Sequence, residues 1–211
     1  MHKKLVLICF LLLLVGCTRV NENDNYIESV QNCLNDQHNV NTVTLGYKYY
    51  IPKGITKLHD YDYNQVFLMD NCYMYLYVDI ISYFYDKKLE TSKKPEDYYY
   101  QEFNYKDKIG YIRIQKQNDN QYFLEIIYHY SKMEGYVQKD KLTKIITLSS
   151  IILNSIEYND TVIEKVLEGD LGQFSEFTYE VDKPDGASSN FSQFLEEYVQ
   201  KEEETEELPD E

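Results

Sequence analysis

Residues 109–138 read IGYIRIQKQNDNQYFLEIIYHYSKMEGYVQ and carry the clearest structural pattern in the chain. Two largely alternating runs of apolar and polar residues, 109–117 and 121–130, flank a polar turn of Asn118, Asp119 and Asn120. Asn and Asp tolerate the left-handed backbone that tight turns need, so the pattern predicts a β-hairpin. Residues 133–137 continue the alternation and predict a further strand of the same sheet.

The hydrophobic period changes after this strand. Across residues 139–158, apolar residues recur at spacings of three, four and seven, namely at Leu142, Ile145, Ile146, Ile152, Leu153 and Ile156. This spacing is typical of an amphipathic helix, and Asp140 lies near its N-terminus, where negative charge is favourable. We therefore predict an α+β fold in which an antiparallel sheet packs against a long C-terminal helix. A second helical piece is predicted over residues 161–168 and stops at Gly169.

Three more strands are predicted upstream of the hairpin, over residues 42–51, 65–69 and 72–83. The first ends at a Pro-Lys-Gly turn, and an Asp-Asn turn separates the other two. In the third, one face carries Cys72, Met74, Leu76, Val78 and Ile80, and the other carries Tyr73, Tyr75, Tyr77 and Asp79. Residues 86–98 are polar and predict a loop, and the three tyrosines at 98–100 begin either a helix or a strand.

Polar segments flank the predicted domain, which covers residues 42–168. Residues 17–41 are interpreted as a tether with a short helix, in which Tyr26, Ile27, Val30 and Leu34 share one face. Residues 169–211 are interpreted as a polar, acidic and largely disordered tail. Its end reads EEYVQKEEETEELPDE, and a block of like charges cannot bury itself.

The N-terminal residues 1–17 read MHKKLVLICFLLLLVGC. Two lysines precede an apolar run from Leu5 to Val15, which is shorter than the about 20 residues that a membrane-spanning helix needs. The ending Gly16-Cys17 resembles the lipobox of bacterial lipoproteins. The resemblance implies a signal peptide over residues 1–16 and diacylglycerol on the Cys17 thiol, so that the lipid holds the chain on the extracytoplasmic face of the cell membrane. The alternatives are an uncleaved anchor and an ordinary signal peptide.

Residues 42–160 also resemble the PsbP-like family of extrinsic, membrane-associated proteins. The segments that carry the resemblance are Tyr50-Ile51-Pro52-Lys53-Gly54, Tyr122-Phe123-Leu124-Glu125-Ile126 and Ile152-Leu153-Asn154-Ser155-Ile156. The chain departs from the family at Ile55, where such proteins often carry an aromatic residue. The resemblance implies a non-enzymatic accessory protein that docks onto a larger membrane assembly, and it transfers no functional residues.

The charge balance excludes one class of partner. The chain has 21 Lys and Arg against 36 Asp and Glu, which gives a formal net charge of −15. Nucleic acid is therefore not expected to bind, because its phosphates are held by clustered Lys and Arg. An anionic membrane surface would also repel the chain, so that the predicted lipid, rather than a basic patch, provides the attachment.

The sequence contains no nucleophile elbow, phosphate loop, nucleotide fingerprint or metalloprotease helix. We therefore predict no catalytic residue, no metal site and no cofactor. Cys33 and Cys72 lack the spacing of a metal site and are predicted to be free thiols, with a disulfide between them as the alternative.

Tyrosine is the most unusual component, with 23 residues against no Trp. Tyr73, Tyr75 and Tyr77 share one strand face, and Tyr122, Tyr128 and Tyr130 share one parity in the predicted hairpin. If the two strands are close, these six residues form one tyrosine surface, which suits a protein partner because Tyr combines apolar area with a hydroxyl. The alternative is a sheet face covered by a helix or loop, with the hydroxyl groups reaching solvent.

The leading hypothesis is thus a lipid-anchored binding or accessory module for a partner protein. The first alternative is an envelope enzyme with a site around His129, predicted in an apolar strand, or around the segment His59-Asp60-Tyr61-Asp62, predicted as a solvated loop. The second alternative is a small solute-binding lipoprotein.

Overall fold

The computed structural model describes residues 26–61 and 63–169. The predicted signal peptide, Cys17 and the predicted tail after residue 169 lie outside these residues, as does Asp62. Every helix in the described part of the chain is too short or too polar to span a bilayer.

The described strands form two antiparallel sheets. In chain order they are β1 Thr42–Val43, β2 Tyr47–Tyr49, β3 Thr56–Tyr61, β4 Asn64–Met69, β5 Cys72–Val78, β6 Asp97–Tyr105, β7 Lys108–Lys116, β8 Gln121–Tyr128, β9 Ser131–Gln138 and β10 Glu157–Tyr158. The larger sheet has seven strands in the order β3-β4-β5-β9-β8-β7-β6, and the smaller sheet has the order β1-β2-β10.

The helices of the described chain are α1 Tyr26–Leu34, α2 Ile80–Phe84, α3 Leu142–Asn154 and α4 Asp160–Leu167. The predicted α+β fold with an antiparallel sheet is confirmed. The prediction that the long helix is C-terminal is wrong, because α3 has 13 residues but is followed by β10 and by α4.

Helix α3 ends at Asn154, earlier than its hydrophobic spacing predicts, because the side chain of the next residue, Ser155, bonds to backbone groups. The Ser155 hydroxyl donates to the carbonyl of Ile152 at 2.7 Å and accepts the backbone N–H of Tyr50 at 2.9 Å. A serine side chain that bonds to backbone groups competes in this way with the helical pattern. Residues 157–158 then pair with β2 instead of continuing the helix.

The predicted hairpin is confirmed as β7 and β8. The Asn118 side-chain oxygen accepts the backbone N–H groups of Asn120 and Gln121 at 3.0 and 2.9 Å, which closes the turn. Strand β8 nevertheless ends at Tyr128, so the prediction of a strand through residue 130 is wrong. His129 and Tyr130 have φ angles of 48° and 64° and form a two-residue turn into β9, with the left-handed backbone that such turns require.

The predicted strand over residues 72–83 is also shorter in the structure. Strand β5 ends at Val78 because the Asp79 carboxylate accepts the backbone N–H of Ser82 at 2.8 Å and caps α2. The preceding turn at Asp70 and Asn71 is confirmed, with φ angles of 51° and 61°.

Residues 42–51 form two short strands rather than the single predicted strand. Gly46 has a φ of 95°, and the backbone N–H of Thr44 donates to the carbonyl of Tyr47 at 2.9 Å, so the chain reverses between β1 and β2. The alternation therefore does not mark one buried face. Tyr47 and Tyr49 are buried, whereas Val43 is 78% exposed.

Residues 59–61 belong to the edge strand β3 and not to the predicted solvated loop. His59 and Asp60 pair with Val66 and Gln65 of β4, after a register shift that follows Lys57. The tyrosines at 98–100 belong to strand β6, so of the two structures predicted for them the strand is formed and the helix is not.

The strand register separates a core face from an open face of the larger sheet. Leu76, Met133, Ile126 and Ile112 lie side by side on β5, β9, β8 and β7, and all four are buried. The adjacent row, on the opposite face, contains Tyr75, Glu134, Glu125 and Arg113. Helix α3 covers the core face, where it contacts β8 and β9.

Helix α1 packs against α3, so the packed part of the chain includes the segment that the sequence placed in a tether. Tyr26, Val30 and Leu34 are buried in the main hydrophobic core. The Asn154 side-chain amide donates to the carbonyls of Cys33 and Asp36 at 3.1 and 3.0 Å, which ties the end of α1 to the end of α3. Cys33 and Cys72 are buried free thiols.

Candidate functional site

The six tyrosines of the predicted partner surface do not lie together. Tyr73, Tyr75 and Tyr77 face the open side of β5, whereas Tyr122 and Tyr128 face the core. Tyr130 lies in the β8–β9 turn. The expected single tyrosine surface is therefore not formed, because the two strands place their tyrosines on opposite faces of the sheet.

Burial further limits these tyrosines. Tyr122 and Tyr128 are each 3% exposed and Tyr75 is 6% exposed, so they offer little area to a partner. The Tyr130 hydroxyl donates to the Asp86 carboxylate at 2.8 Å, which connects the β8–β9 turn to the loop after α2. This contact lies at the end of the larger sheet that carries the β6–β7 and β8–β9 turns, and a different candidate site is found there.

A pocket of about 770 Å³ opens at that end of the sheet. We call it the turn pocket. Its walls are residues 86–90, which follow α2, together with the β6–β7 and β8–β9 turns. Its lining includes Tyr77, Ile109, Ile127 and Lys132, which share one face of the sheet, and Lys108 at the start of β7.

An aromatic cluster supports one side of the turn pocket. The rings of Tyr83 and Tyr158 stack with centroids 3.8 Å apart, and each meets the His129 ring edge-on at 5.8 and 5.5 Å. The Tyr158 hydroxyl donates to the His129 carbonyl at 2.8 Å. These contacts fix the β8–β9 turn in its left-handed conformation, so this wall of the pocket is preorganised.

The loop that contains residues 86–90 is attached to the sheet through Arg113. The Arg113 guanidinium donates to the carbonyl of Ser92 at 2.7 Å, which ties the loop between α2 and β6 to the open face. The same guanidinium lies 2.6 Å from a Glu125 carboxylate oxygen and 3.2 Å from an Asp97 carboxylate oxygen. Arg113 thus acts as a positioning residue for the pocket.

Two groups in the lining have shifted pKa values. Burial, together with the neighbouring Lys108 charge, lowers the pKa of His129 to about 4. Burial and the charge of Lys106 lower the pKa of Lys108, although Glu157 acts in the opposite direction. Both shifts have the sign expected for bases that lose contact with water.

The low pKa of His129 predicts a pH-dependent stability. Because the pKa falls from 6.5 in the unfolded chain to about 4 in the fold, the unfolded state binds more protons in this window. Stability is therefore complete above pH 6.5 and is lost as the pH falls toward 4. His129 is only half-buried, so we expect its contribution to be about 1–2 kcal/mol after solvent screening.

The matched variant is His129→Asn, since Asn tolerates the left-handed backbone and does not titrate here. Denaturant unfolding measured across this pH window should show a smaller loss for His129→Asn than for wild type. Equal losses in the two proteins would show that His129 is not the titrating group.

The residues of the predicted enzyme alternative are not brought together. His129 lines the turn pocket, whereas His59 lies on the outermost strand β3 and is not part of that lining. In the described part of the chain, no group of three or more His, Cys, Asp or Glu side chains is arranged to hold a metal ion.

Sequence reasoning did not identify Arg113 or Lys108. The pairing of Arg113 with Glu125 could have been predicted, because it follows when the hairpin register is extended from the predicted Asn118 turn. Asp97 and Ser92 have no such signal, since they reach Arg113 only through tertiary packing.

No protein-family model and no curated protein sequence matches this chain.

Proposed function

We propose that this protein is a lipid-anchored, extracytoplasmic binding module that recognises a partner protein at the turn pocket. The attachment part of the proposal rests on the N-terminal sequence, in which Lys3 and Lys4, the apolar run and Gly16-Cys17 occur in the order of a lipoprotein signal. The binding part rests on the pocket and its surroundings.

The observation that carries the proposal is the exposed apolar surface around the turn pocket. Ile109 lines the pocket and is 50% exposed, and Tyr85, next to the lining residue Asp86, is 63% exposed. Phe84 is also exposed and meets the Tyr85 ring edge-on at 5.3 Å. Scattered exposed apolar residues are ordinary, but several beside a preorganised concavity are typical of protein-recognition sites.

The volume of the turn pocket favours a second candidate, the small solute-binding lipoprotein. About 770 Å³ lies within the range of small-molecule sites. In this alternative the apolar residues at the mouth would contact the solute rather than a protein. The two candidates differ in whether a protein is captured through the pocket.

The test is a crosslinked pull-down of the tagged, lipidated protein from its native membranes, followed by mass spectrometry. We expect one membrane protein to be captured by wild type and by Val43→Glu, and to be lost with Ile109→Glu. Val43 is the matched control, because it is an exposed apolar residue on the smaller sheet and outside the pocket lining.

A Cys17→Ser protein is expected to leave the membrane fraction. Capture that is unchanged by Ile109→Glu would contradict the pocket as the binding site. A Cys17→Ser protein that remains in the membrane fraction would contradict the lipid attachment.

A further inference from the structure

The two edge strands of the larger sheet differ in how well they are protected from pairing with another strand. Strand β3, at one edge, has six residues, a register shift after Lys57 and an ion pair between Lys57 and Asp60. Strand β6, at the other edge, has nine residues, and its pairing with β7 is regular from Tyr99 to Tyr105. Short strands, bulges and charges are the features that keep an edge from pairing, so β6 is the less protected edge.

The β6–β7 turn fixes the direction of the backbone groups of β6. Its two residues, Lys106 and Asp107, have φ angles of 50° and 62°, which is the geometry of a type I′ turn. The flanking residues Tyr105 and Lys108 therefore form a hydrogen-bonded pair, and bonded and non-bonded pairs alternate from there along the ladder. Every second residue of β6 consequently directs its N–H and C=O groups away from β7.

The outward-directed residues of β6 are Tyr100, Glu102 and Asn104. The residue opposite Asn104 confirms the alternation, because the Ile109 carbonyl accepts a backbone N–H of the β8–β9 turn at 3.2 Å and so points away from β6. Among the described residues, no other backbone group bonds to the three outward residues, although the Gln101 side-chain amide donates to the Glu102 carbonyl at 3.0 Å. A row of unpaired backbone groups is a template for a further strand.

The charge of Glu102 limits which strand can pair there. Glu102 is exposed in the middle of the row, and among the described residues no Lys or Arg forms an ion pair with it. If two copies of the chain paired about this position, their Glu102 carboxylates would lie opposite each other, which is destabilising. The formal net charge of −15 adds to the repulsion between copies. A strand with a cationic side chain opposite Glu102 meets neither penalty.

From this arrangement we infer that the outer edge of β6 binds an extended, basic segment of a partner protein as an additional strand. The segment pairs with the outward backbone groups of Tyr100, Glu102 and Asn104, and a Lys or Arg side chain lies beside the Glu102 carboxylate. In this mode of recognition main-chain hydrogen bonds supply the affinity, and alternate side chains supply the specificity. The inference does not rest on the turn pocket, because residues 100–104 are not part of its lining.

The first experiment measures binding of a short fluorescein-labelled peptide, in which Lys and Val alternate, to the full-length protein by fluorescence anisotropy. One comparison peptide has Glu in place of each Lys. The other is the Lys-Val peptide with methylated backbone nitrogens at each Lys, which keeps the charge but cannot donate to the Glu102 side of β6. We expect the Lys-Val peptide to bind about tenfold more tightly than either.

Two substitutions at Glu102 separate the backbone from the charge. Glu102→Pro removes an outward N–H and leaves the ladder with β7 intact, since Pro is tolerated where the N–H faces away from the sheet. It should weaken binding of the Lys-Val peptide about tenfold. The matched variant Glu102→Gln keeps the N–H but loses the charge, and it should weaken binding about twofold to fivefold.

A second readout uses the wild-type protein and is independent of how the variants fold. Saturating Lys-Val peptide should slow amide hydrogen exchange, followed by NMR, at Tyr100, Glu102 and Asn104. Exchange at Gln101 and Phe103 should change little, because their N–H groups already bond to β7.

Several results would overturn the inference. Equal binding of the Lys-Val peptide and its methylated form would show that charge alone attracts it. Absence of binding, equal binding of the Glu-Val peptide, unchanged exchange at the outward amides, or normal binding to a Glu102→Pro protein that unfolds like wild type would also contradict strand addition. A dimer in sedimentation, with these amides protected before peptide is added, would assign the edge to a second copy of the chain.

Discussion

Replacing Arg113 with Met is expected to lower the free energy of unfolding by about 3–5 kcal/mol. The reason is the set of charges that the substitution leaves behind. The side chains of Arg113, Asp97 and Glu125 are 7%, 0% and 14% exposed, so the two carboxylates would remain buried without their cation. A buried charge that loses its partner costs far more than an exposed one.

The neighbouring contacts strengthen this expectation. The guanidinium lies over the rings of Tyr111 and Tyr100, at 4.9 and 5.4 Å from their centroids, and these rings would lose their cation. The Tyr111 hydroxyl also donates to Glu125 at 2.9 Å, so the substitution disturbs a connected network rather than one pair.

The matched control for Arg113→Met is Lys116→Met on the same strand. Lys116 pairs with Asp119 at 3.0 Å, but both side chains are exposed, so we expect a much smaller loss than for Arg113→Met. Denaturant unfolding followed by circular dichroism measures both changes. Similar losses for the two variants would contradict a special role for the buried cluster.

The pH dependence provides a second check on the Arg113 cluster. In wild type, burial acts to raise the pKa of Asp97, but the Lys94 backbone N–H, Gln115 and Arg113 outweigh it and hold the pKa below 3.8. This lowered pKa stabilises the fold above pH 3.8, and that contribution is lost as the pH falls below it. Without Arg113 the pKa of Asp97 should be lowered less. Acidification should therefore narrow the difference in the free energy of unfolding between Arg113→Met and wild type.

A triple variant tests whether uncompensated charge causes the loss. Adding Asp97→Asn and Glu125→Gln to Arg113→Met removes both buried charges and should recover a large part of the stability. The loop between α2 and β6 should still be released from the sheet, because the bond from Arg113 to the Ser92 carbonyl is absent. Trypsin cleavage at Lys87 and Lys88 should therefore be faster in both variants, which links Arg113 to the wall of the turn pocket.

Gly135→Ala is expected to lower the free energy of unfolding by about 3 kcal/mol. Strand β5 pairs with β9 only over residues 75–78, and farther along β5 its backbone passes closely over Gly135. A Cβ at Gly135 would fall well inside contact distance of the Tyr73 carbonyl oxygen and 2.7 Å from the Met74 sulfur. Because the obstacle is backbone, the two strands would have to separate.

Gly54 is the comparison that separates crowding from backbone strain. It has a φ of 87° with no atom within 4 Å of an added Cβ, so Gly54→Ala should cost only about 1 kcal/mol. Asn tolerates this backbone, so Gly54→Asn should be milder than Gly54→Ala, whereas Gly135→Asn should be worse than Gly135→Ala. Thermal and denaturant unfolding would measure the four variants, and a near-neutral Gly135→Ala would contradict the close approach of β5.

The local patterns of the sequence were sufficient where structure depends on near neighbours. The Asn118 turn, the Asp70-Asn71 turn and the apolar face of α1 each follow from residues a few positions apart, and the structure confirms all three. The same patterns failed where a distant residue intervenes. The end of α3 depends on a bond between Ser155 and Tyr50, which are 105 positions apart in the chain.

The candidate site was less predictable than the fold. The tyrosine surface was inferred from parity within single strands, but parity does not say which face of the sheet the helices will cover. Helix α3 and the register between β5, β9 and β8 determine which face is covered. They place five of the six tyrosines on two opposite faces, and the sixth, Tyr130, lies in a turn. The turn pocket in turn depends on three chain segments that are not adjacent in sequence.

The sequence by itself determined the α+β class and the central hairpin, because both depend on short-range periodicity. Only the tertiary structure decided that Arg113 is buried between Asp97 and Glu125, and that the segment after α2 and two turns of the larger sheet form one pocket. Burial and the placement of charges relative to one another depend on how distant segments pack, and no local pattern contains that information.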